Sequence, residues 1–203
     1  KATECSIRVI VLMGGPDFWC NGIHLNHIEQ DISPADESWC NINAMNDLVQ
    51  AIITTNQQLT IAALQGNAGA GGVFLSLAAD YIFARDSIIL NPHYKSMGNL
   101  YGSEYWTYLL PRRVNESHVK SLTQNRLPIG ALDARNIGLM DDCFALSPID
   151  FKKKITQIAE TIANDPNFPA LLQRKAHQRQ LDEQQKPLQS YRDEELRHMQ
   201  LNF

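Results

Sequence analysis

A glycine-rich segment in the middle of the chain combines residue types that can stabilise a negative charge. Residues 65–72 read Gln-Gly-Asn-Ala-Gly-Ala-Gly-Gly and lie between an apolar strand pattern at 60–64 and an apolar helix pattern at 73–79. Glycine lets the backbone turn tightly and leaves its N–H groups open to a ligand. A helix that begins at Gly71 directs the positive end of its dipole towards the space in front of it. These features predict an oxyanion hole, which stabilises charge on a carbonyl oxygen.

Two phosphate-binding alternatives do not fit this segment. A dinucleotide fingerprint that starts at Gly69 would place Phe74 where a third glycine or an alanine belongs. A P-loop that starts at Gly66 requires lysine after its second glycine, but Gly72 follows Gly71. A tight strand-to-helix turn, packed closely for structural reasons, remains open as the alternative to an oxyanion hole.

A second glycine-bearing loop follows another apolar strand pattern. Residues 7–13 form a nearly unbroken apolar run, which is typical of a parallel strand buried on both faces. Residues 14–25 follow directly and contain three glycines. If the two strands lie side by side, backbone N–H groups from both loops can converge on one carbonyl oxygen.

Together the two loops resemble the crotonase (enoyl-CoA hydratase/isomerase) superfamily. Residues 19–25, Trp-Cys-Asn-Gly-Ile-His-Leu, are similar to the family's Phe-Ser-Ala-Gly-Ala-Asp-Leu segment, and residues 66–80 are similar to its second loop and helix. The resemblance covers most of the chain to about Ala145. It implies an α/β, crotonase-like (ClpP/crotonase) fold of repeated strand-turn-helix units with C-terminal helices. The family pattern has a further strand and helix before Ile7, so we expect a chain truncated at its N-terminus.

The resemblance also implies the ligand, a coenzyme A thioester. The matched positions imply that the backbone N–H groups of Ile23 and Gly71 are the two oxyanion donors. The adenine of the coenzyme is expected along residues 19–23. The residues expected to bind it are Trp19, Cys20, Asn21, Ile23, Gly69 and Gly71.

Two departures from the family argue against hydratase activity. Hydratases carry an acid/base glutamate three residues beyond the second oxyanion glycine, where this chain has Phe74. Their other glutamate follows a proline after the next strand, where this chain has His93. Because water addition to an enoyl thioester uses both carboxylates for proton transfer, we expect negligible hydration.

Segments that ordinary crotonases lack resemble a narrower group, the C-terminal crotonase-like half of the HypX family of nickel–iron hydrogenase maturation proteins. They are residues 21–26, 37–44, 91–95, 101–113 and 191–196. In that family an N-terminal half binds formyl-tetrahydrofolate, this half handles formyl-CoA, and the product is understood to be carbon monoxide. The resemblance therefore implies a formyl-CoA decarbonylating lyase, with a formyl-tetrahydrofolate-binding domain in the parent protein.

The same resemblance implies that Tyr94 and Glu104 carry the chemistry. A carboxylate can remove or shuttle the formyl proton, and a phenol can donate to the sulfur or orient the formyl group. The alternative is that Glu104 is a surface or ion-paired carboxylate and Tyr94 a packing residue. His93, at the position of the missing glutamate, is the reserve candidate for acid/base work.

Two further function classes stay open. One is a crotonase-type isomerase or decarboxylase on a small acyl-CoA, which needs only one proton-transfer group. The other is a non-catalytic module that docks the thioester arm or a partner domain. Homo-oligomerisation is also possible, because crotonases use their C-terminal helices to cover the active site or a neighbouring subunit.

Composition agrees with a cytoplasmic enzyme. The 203 residues are 44% apolar and carry a net charge of −4, which offers no general attraction for nucleic acid. No apolar run approaches the roughly 18 residues of a membrane span, and no secretory signal is visible. The histidines at His24 and His27 have no further ligand pattern nearby, so no metal is expected. We expect free thiols at Cys5, Cys20, Cys40 and Cys143.

Patterning predicts most of the remaining elements. Helices are expected at residues 38–54, with Ser38 or Asp36 as the cap, at 132–138 and at 149–163, and a strand at 142–145. Residues 1–168 are expected to form the core and 169–203 a C-terminal helical extension, which Pro187 interrupts. The balanced charges of that extension, Glu195 among them, predict a solvated helix face.

Overall fold

Two four-stranded sheets form the framework of the chain. The computed structural model describes residues 7–95, 98 and 100–201. The first sheet is parallel throughout, in the order β1 (Val9–Met13), β3 (Leu59–Leu64), β5 (Tyr81–Arg85) and β8 (Asp142–Phe144). The second sheet has the order β2 (Phe18–Cys20), β4 (Asn67–Gly69), β6 (Ile89–Asn91) and β7 (Ile129–Gly130), and only its last pair is antiparallel.

Helices follow or cover these strands in the described part of the chain. They are α1 (Leu25–Gln30), α2 (Pro34–Ile53), α3 (Gly71–Leu77), α4 (Trp106–Leu109), α5 (Glu116–Gln124), α6 (Ala131–Asn136), α7 (Pro148–Ala163), α8 (Phe168–Gln185) and α9 (Leu188–Met199). A 3₁₀ turn at Leu110–Arg112 continues α4.

The order of pairing brings the two glycine loops together. Strand β1 pairs with β3 in the first sheet, and the short strand that follows each of them, β2 and β4, pairs in the second. The connections after β1 and β3 therefore run side by side. The condition for convergence of the two loops, two strands that lie side by side, is thus met.

Strand β3 lies at the centre of the core, and all six of its residues are buried. The run is apolar apart from Thr60, whose backbone N–H and hydroxyl both donate to Asp80 Oδ2. The same oxygen accepts from Lys175 Nζ at 2.6 Å, which attaches α8 to the sheet. A parallel strand buried on both faces is what its unbroken apolar pattern predicts.

Helix α2 begins at Pro34 rather than at the predicted residue 38, so neither Asp36 nor Ser38 is its cap. Ser33 is the N-cap, and Ser38 is buried inside the helix. Proline is tolerated in a first turn because the N–H it lacks would have no partner within the helix. Asp36 and Glu37 then lie in the first turn, where acidic side chains favour the helix dipole.

The other predicted elements are confirmed with small shifts of their bounds. Helix α6 ends before Gly138, which has φ +87° as expected of a C-terminal glycine, and β8 and α7 match the predicted strand and helix. Pro187 separates α8 from α9. The prediction that the charged residues of the extension lie on a solvated face is wrong for Glu195, which is fully buried. The division of the chain at residue 168 stays a prediction.

Two further observations concern the described residues. Cys20, Cys40 and Cys143 are free thiols, and Cys5 lies outside the part of the chain that the structure describes. Within that part, no helix has the length and apolar character needed to cross a membrane.

Candidate active site

The two glycine loops are in direct contact. A Cβ placed on Gly22 would lie 3.4 Å from the backbone nitrogen of Gly71. The indole Nε1 of Trp19 donates to the carbonyl oxygen of Gly72 at 3.0 Å. A Cβ on Gly72 would come within 1.9 Å of the Cys20 carbonyl oxygen, so only glycine allows the loops to approach this closely.

The second loop enters α3 through a strained residue. Ala70, the N-cap, has φ 46°, and its N–H donates to the Asn91 carbonyl at 2.9 Å. Gly71 is the first residue of α3, as predicted. The positive end of the helix dipole therefore lies at the contact between the loops. Ile23 lies next to Gly22 in the chain, and the role of Ile23 and Gly71 as oxyanion donors stays a prediction.

Glu104 places its carboxylate at this same point. A Cβ on Gly71 would come within 2.6 Å of Glu104 Oε1. Glu104 is only 2% exposed, so the alternative of a surface carboxylate is wrong. Burial raises the pKa of Glu104 to about 7, and the hydrogen bond from Tyr94 opposes part of that rise. A carboxyl group with this pKa can accept or release a proton near neutral pH.

Tyr94 is hydrogen-bonded to Glu104, so the structure brings the predicted pair together. Its hydroxyl donates to Glu104 Oε2. Burial, followed by the negative charge of Glu104, raises the pKa of Tyr94 well above its usual value, so the phenol keeps its proton. The ring of Tyr94 stacks on Phe74 at a centroid distance of 5.6 Å. Tyr94 can therefore act as a fixed hydrogen-bond donor.

The backbone that carries Glu104 is also strained. Glu104 and Tyr105 both have left-handed conformations, with φ of 63° and 58°. Such a conformation costs roughly 1–2 kcal/mol for a residue other than glycine. Asn46 on α2 opposes that cost, because its Oδ1 accepts from Glu104 N and from Ser103 Oγ, each at 2.9 Å. Strain of this kind is concentrated at functional sites, where the surroundings enforce it.

Sequence reasoning missed two polar residues beside Glu104, namely Asn46, which accepts from Glu104 N, and Glu195, which accepts from Tyr105 N. Both are fully buried. Asn46 lies four residues after the buried Ile42 and three before the buried Val49, so it interrupts an apolar helical stripe. Glu195 similarly lies four residues before the buried Met199. A polar residue at a core position of a helical repeat was the available signal.

Phe74 and His93 occupy the two positions at which hydratases carry glutamates, and both side chains are buried. Phe74 is fully buried, and His93 is 4% exposed. His93 Nδ1 has no hydrogen-bond partner among the described residues. His93 also lines a small cavity of about 100 Å³ together with Tyr94, Tyr101 and Trp106. His93 thus remains the reserve candidate.

The segment expected to bind the coenzyme lies beside the site. Asn21 Oδ1 is 3.2 Å from the Cβ position of Gly69, so both predicted loops contribute to one surface. Cys20 is half-buried, and its Sγ accepts from the Gly22 N–H at 3.4 Å. Burial raises the pKa of Cys20, which keeps the thiol protonated and makes it a poor nucleophile.

The side chain of His24 has a structural role. The backbone N–H of His27 donates to His24 Nδ1 at 3.2 Å, so that His24 caps α1. Their rings are 4.7 Å apart. Among residues 7–95, 98 and 100–201, no group of three or more histidine, cysteine, aspartate or glutamate side chains could hold a metal ion.

A larger cleft of about 690 Å³ lies elsewhere, between the end of α3 and α8. Its lining includes Tyr108, Arg112 and Arg179, and none of the predicted site residues. Arg179 donates to the Tyr108 hydroxyl, and Arg112 pairs with Asp182, so these groups hold the helices together. We place the candidate site at Gly71, Tyr94 and Glu104, where strain, burial and perturbed pKa values coincide.

This fold and this arrangement of loops define the class of protein. The enoyl-CoA hydratase/isomerase family matches residues 2–202, and the chain belongs to it. An enoyl-CoA hydratase from Bacillus halodurans superposes with a TM-score of 0.81 at 19% identity, over 97% of this chain and 77% of that one, which shows the shared crotonase-like fold.

Two relatives are much more similar. The hydrogenase maturation factor HoxX of Bradyrhizobium diazoefficiens is 55% identical over 202 residues, which are 100% of this chain and 36% of that protein. HypX from Aquifex aeolicus, in a crystal structure with tetrahydrofolic acid, superposes with a TM-score of 0.94 at 45% identity, over 99% of this chain and 36% of that one. The chain is thus a homologue of these maturation factors and spans about a third of their length.

Proposed function

We propose that this chain is the coenzyme A thioester-binding, crotonase-like domain of a nickel–iron hydrogenase maturation factor, and that it converts formyl-CoA to carbon monoxide and coenzyme A. The observation that carries the proposal is the buried Tyr94–Glu104 pair, held against Gly71 at the contact between the two loops. The similarity to HoxX and HypX supports the biological setting.

In the proposed reaction, the thioester loses its formyl proton and its C–S bond. The Glu104 carboxylate accepts the proton from the formyl carbon, and the electrons of the C–H bond remain on that carbon as the thiolate leaves. The thiolate then takes this proton from Glu104, which restores the carboxylate, so that one formyl-CoA gives one carbon monoxide and one free thiol. Tyr94 donates a hydrogen bond that orients Glu104 or the leaving sulfur.

The two loops would bind and polarise the thioester. The N–H groups of Ile23 and Gly71 would donate to the formyl oxygen, in front of the positive end of the α3 dipole. Trp19, Cys20 and Asn21 would lie along the coenzyme. The close approach of the loops at Gly22 and Gly71 supports this arrangement, because Ile23 follows Gly22 in the chain and Gly71 begins α3.

The formyl group would be supplied by another part of the parent protein. The HypX structure from Aquifex aeolicus contains tetrahydrofolic acid, and this chain covers 36% of that protein. We propose that the parent of this chain likewise carries a formyl-tetrahydrofolate-binding domain, which transfers the formyl group to coenzyme A.

A crotonase-type isomerase or decarboxylase is the second candidate. It needs a single proton-transfer group, and Glu104 with its pKa of about 7 could provide one. The two candidates differ in substrate, because only decarbonylation consumes formyl-CoA and releases a gas.

The test is incubation of the intact parent protein with formyl-CoA, with carbon monoxide and free coenzyme A measured together. The proposal predicts equal amounts of both products, and calorimetry should show coenzyme A binding with a Kd on the order of micromolar. Turnover of a small acyl-CoA without gas release would favour the second candidate. Binding without turnover of any thioester would indicate a non-catalytic docking module.

A further inference from the structure

Glu195 is a buried carboxylate that the proposed mechanism does not use. It lies on α9 and is fully buried. Its Oε2 accepts from Tyr105 N at 2.8 Å, and its Oε1 accepts from Thr107 N at 2.8 Å and from Thr107 Oγ1 at 2.5 Å. One donor belongs to Tyr105, which follows Glu104 directly, and the other two belong to Thr107 in the first turn of α4. A residue near the end of the chain therefore contacts the backbone next to the candidate site.

The turn depends on contacts from both sides. Glu104 and Tyr105 are consecutive left-handed residues, and neither is glycine. Asn46 on α2 accepts the N–H of Glu104, whereas Glu195 on α9 accepts the N–H of Tyr105. Left-handed residues of this kind persist only where surrounding groups hold them. The two side chains thus accept from the N–H groups of two consecutive strained residues.

We propose that Glu195 is a positioning residue, whose carboxylate holds the Glu104–Tyr105 turn and thereby keeps the Glu104 side chain against Gly71 and Tyr94. Glu195 acts through Glu104 and does not touch the substrate. The positioning role rests on the proposed function only for the reaction that Glu104 performs. The geometry of the turn does not depend on which reaction that is.

The electrostatic surroundings of Glu104 give this role a measurable signature. The titratable groups that interact with Glu104 are the Tyr94 phenol, the Cys20 thiol and the Glu195 carboxylate. Burial raises the pKa of Glu195 to about 8, above the pKa of about 7 for Glu104, so Glu195 is mostly protonated at the pH where Glu104 titrates. Glu195→Gln therefore acts on Glu104 through the geometry of the turn and removes little charge. A loosened turn admits water, which favours ionised Glu104 and lowers its pKa.

The substitution Glu195→Gln tests the role at constant shape. The amide oxygen can still accept from Thr107, but the amide nitrogen then faces the N–H of Tyr105, so that two donors meet. Glu194→Gln is the matched control, because Glu194 is the preceding residue, is exposed and pairs with Lys186.

The first readout needs no substrate. The Glu104 carboxyl is titrated by carbon-13 NMR in the intact parent, with its signal assigned by its loss in Glu104→Gln. We expect the midpoint to fall by about one pH unit or more in Glu195→Gln, and to be unchanged in Glu194→Gln. If Glu195→Gln does not fold, Glu195→Asp, which is too short to reach all three donors, should lower the midpoint as well.

The second readout is carbon monoxide release. Glu195→Gln should lower kcat by about tenfold or more with KM near normal, and should add no further loss to Glu104→Gln. An unchanged Glu104 titration in the folded Glu195 variant overturns the proposal. A shifted titration in a protein that never releases carbon monoxide would retain the positioning role and reject the proposed function.

Discussion

The carboxylate of Glu104 lies against the Cα of Gly71, because a Cβ at residue 71 would come within 2.6 Å of Glu104 Oε1. The two residues belong to different parts of the fold, the start of α3 and the turn before α4. Their contact joins the loop that would polarise a formyl group to the carboxylate that would take its proton. A single methyl group at residue 71 would disturb this contact.

Gly71→Ala should therefore abolish most activity while the protein still folds. The atom that the new methyl group meets is the end of a flexible side chain, so the carboxylate can move away without a backbone shift. A misplacement of about 1 Å can lower a rate by roughly 10²-fold, and we expect a loss of that order in carbon monoxide release.

Gly130→Ala is the matched control for this substitution. A Cβ at Gly130 would meet nothing within 4 Å, so its activity and thermal stability should equal those of the unchanged protein. Full activity in a folded Gly71→Ala protein would show that the Glu104 carboxylate is not used at the position observed.

The pH dependence of the reaction should report the ionisation of Glu104. The carboxylate must be ionised to accept the formyl proton, and its pKa is about 7. The logarithm of kcat/KM for carbon monoxide release should rise with a slope of about one below pH 7 and become level above it. A profile that falls above pH 7 would instead mean that protonated Glu104 is the active form.

The same raised pKa should make the protein less stable as the pH rises. The carboxyl pKa of Glu104 is about 7 in the folded state, and that of an unfolded glutamate is about 4.3. Between these values the folded state binds more protons than the unfolded state, so the free energy of unfolding falls as the pH increases. Stabilisation by this group is complete at low pH and is lost as the pH passes through the folded pKa.

Glu104→Gln should remove that loss, because glutamine carries no charge. We expect the variant to exceed the unchanged protein in free energy of unfolding by about 1–3 kcal/mol at pH 8, and by much less near pH 5. Urea titrations at the two pH values measure the difference. Equal free energies at pH 8 would contradict a buried, raised-pKa Glu104.

Hydration of crotonyl-CoA should be undetectable above background. Phe74 and His93 occupy the positions of the two hydratase carboxylates, and both are buried. The double substitution Phe74→Glu and His93→Glu should recover a trace of activity at most, because Phe74 packs on Tyr94 and a carboxylate there would be buried next to Glu104. Loss of enoyl thioester absorbance measures the reaction. Robust hydration by the unchanged protein would show that the matched positions are wrong.

Local patterns were sufficient to predict most elements of the fold. The apolar runs of β1 and β3 and the glycines after them indicate two adjacent strand-turn-helix units, which the pairing of β1 with β3 confirms. Helix α2 begins four residues before the predicted start, because proline suits a first helical turn. Bounds of this kind depend on a single residue and are poorly specified by periodicity.

The site was only partly predictable from the residues. The resemblance implied Tyr94 and Glu104, but no spacing rule shows that a residue at position 104 returns to Gly71. The supporting contacts of Asn46 and Glu195 are 58 and 90 residues from their partners in the chain. Such contacts depend on the packing of α2 and α9 against the rest of the fold, and the charge pattern of the extension predicted a solvated face for α9.

The most direct measurement is carbon monoxide release from formyl-CoA by the intact parent, compared with Glu104→Gln and Tyr94→Phe at identical protein and thioester concentrations. The account predicts that Glu104→Gln lowers the rate by about 10²–10⁴-fold with nearly normal coenzyme A affinity. Tyr94→Phe should be milder, and the two losses should not multiply if both residues serve one step. Unchanged release in both variants would contradict the account and move the assignment to His93.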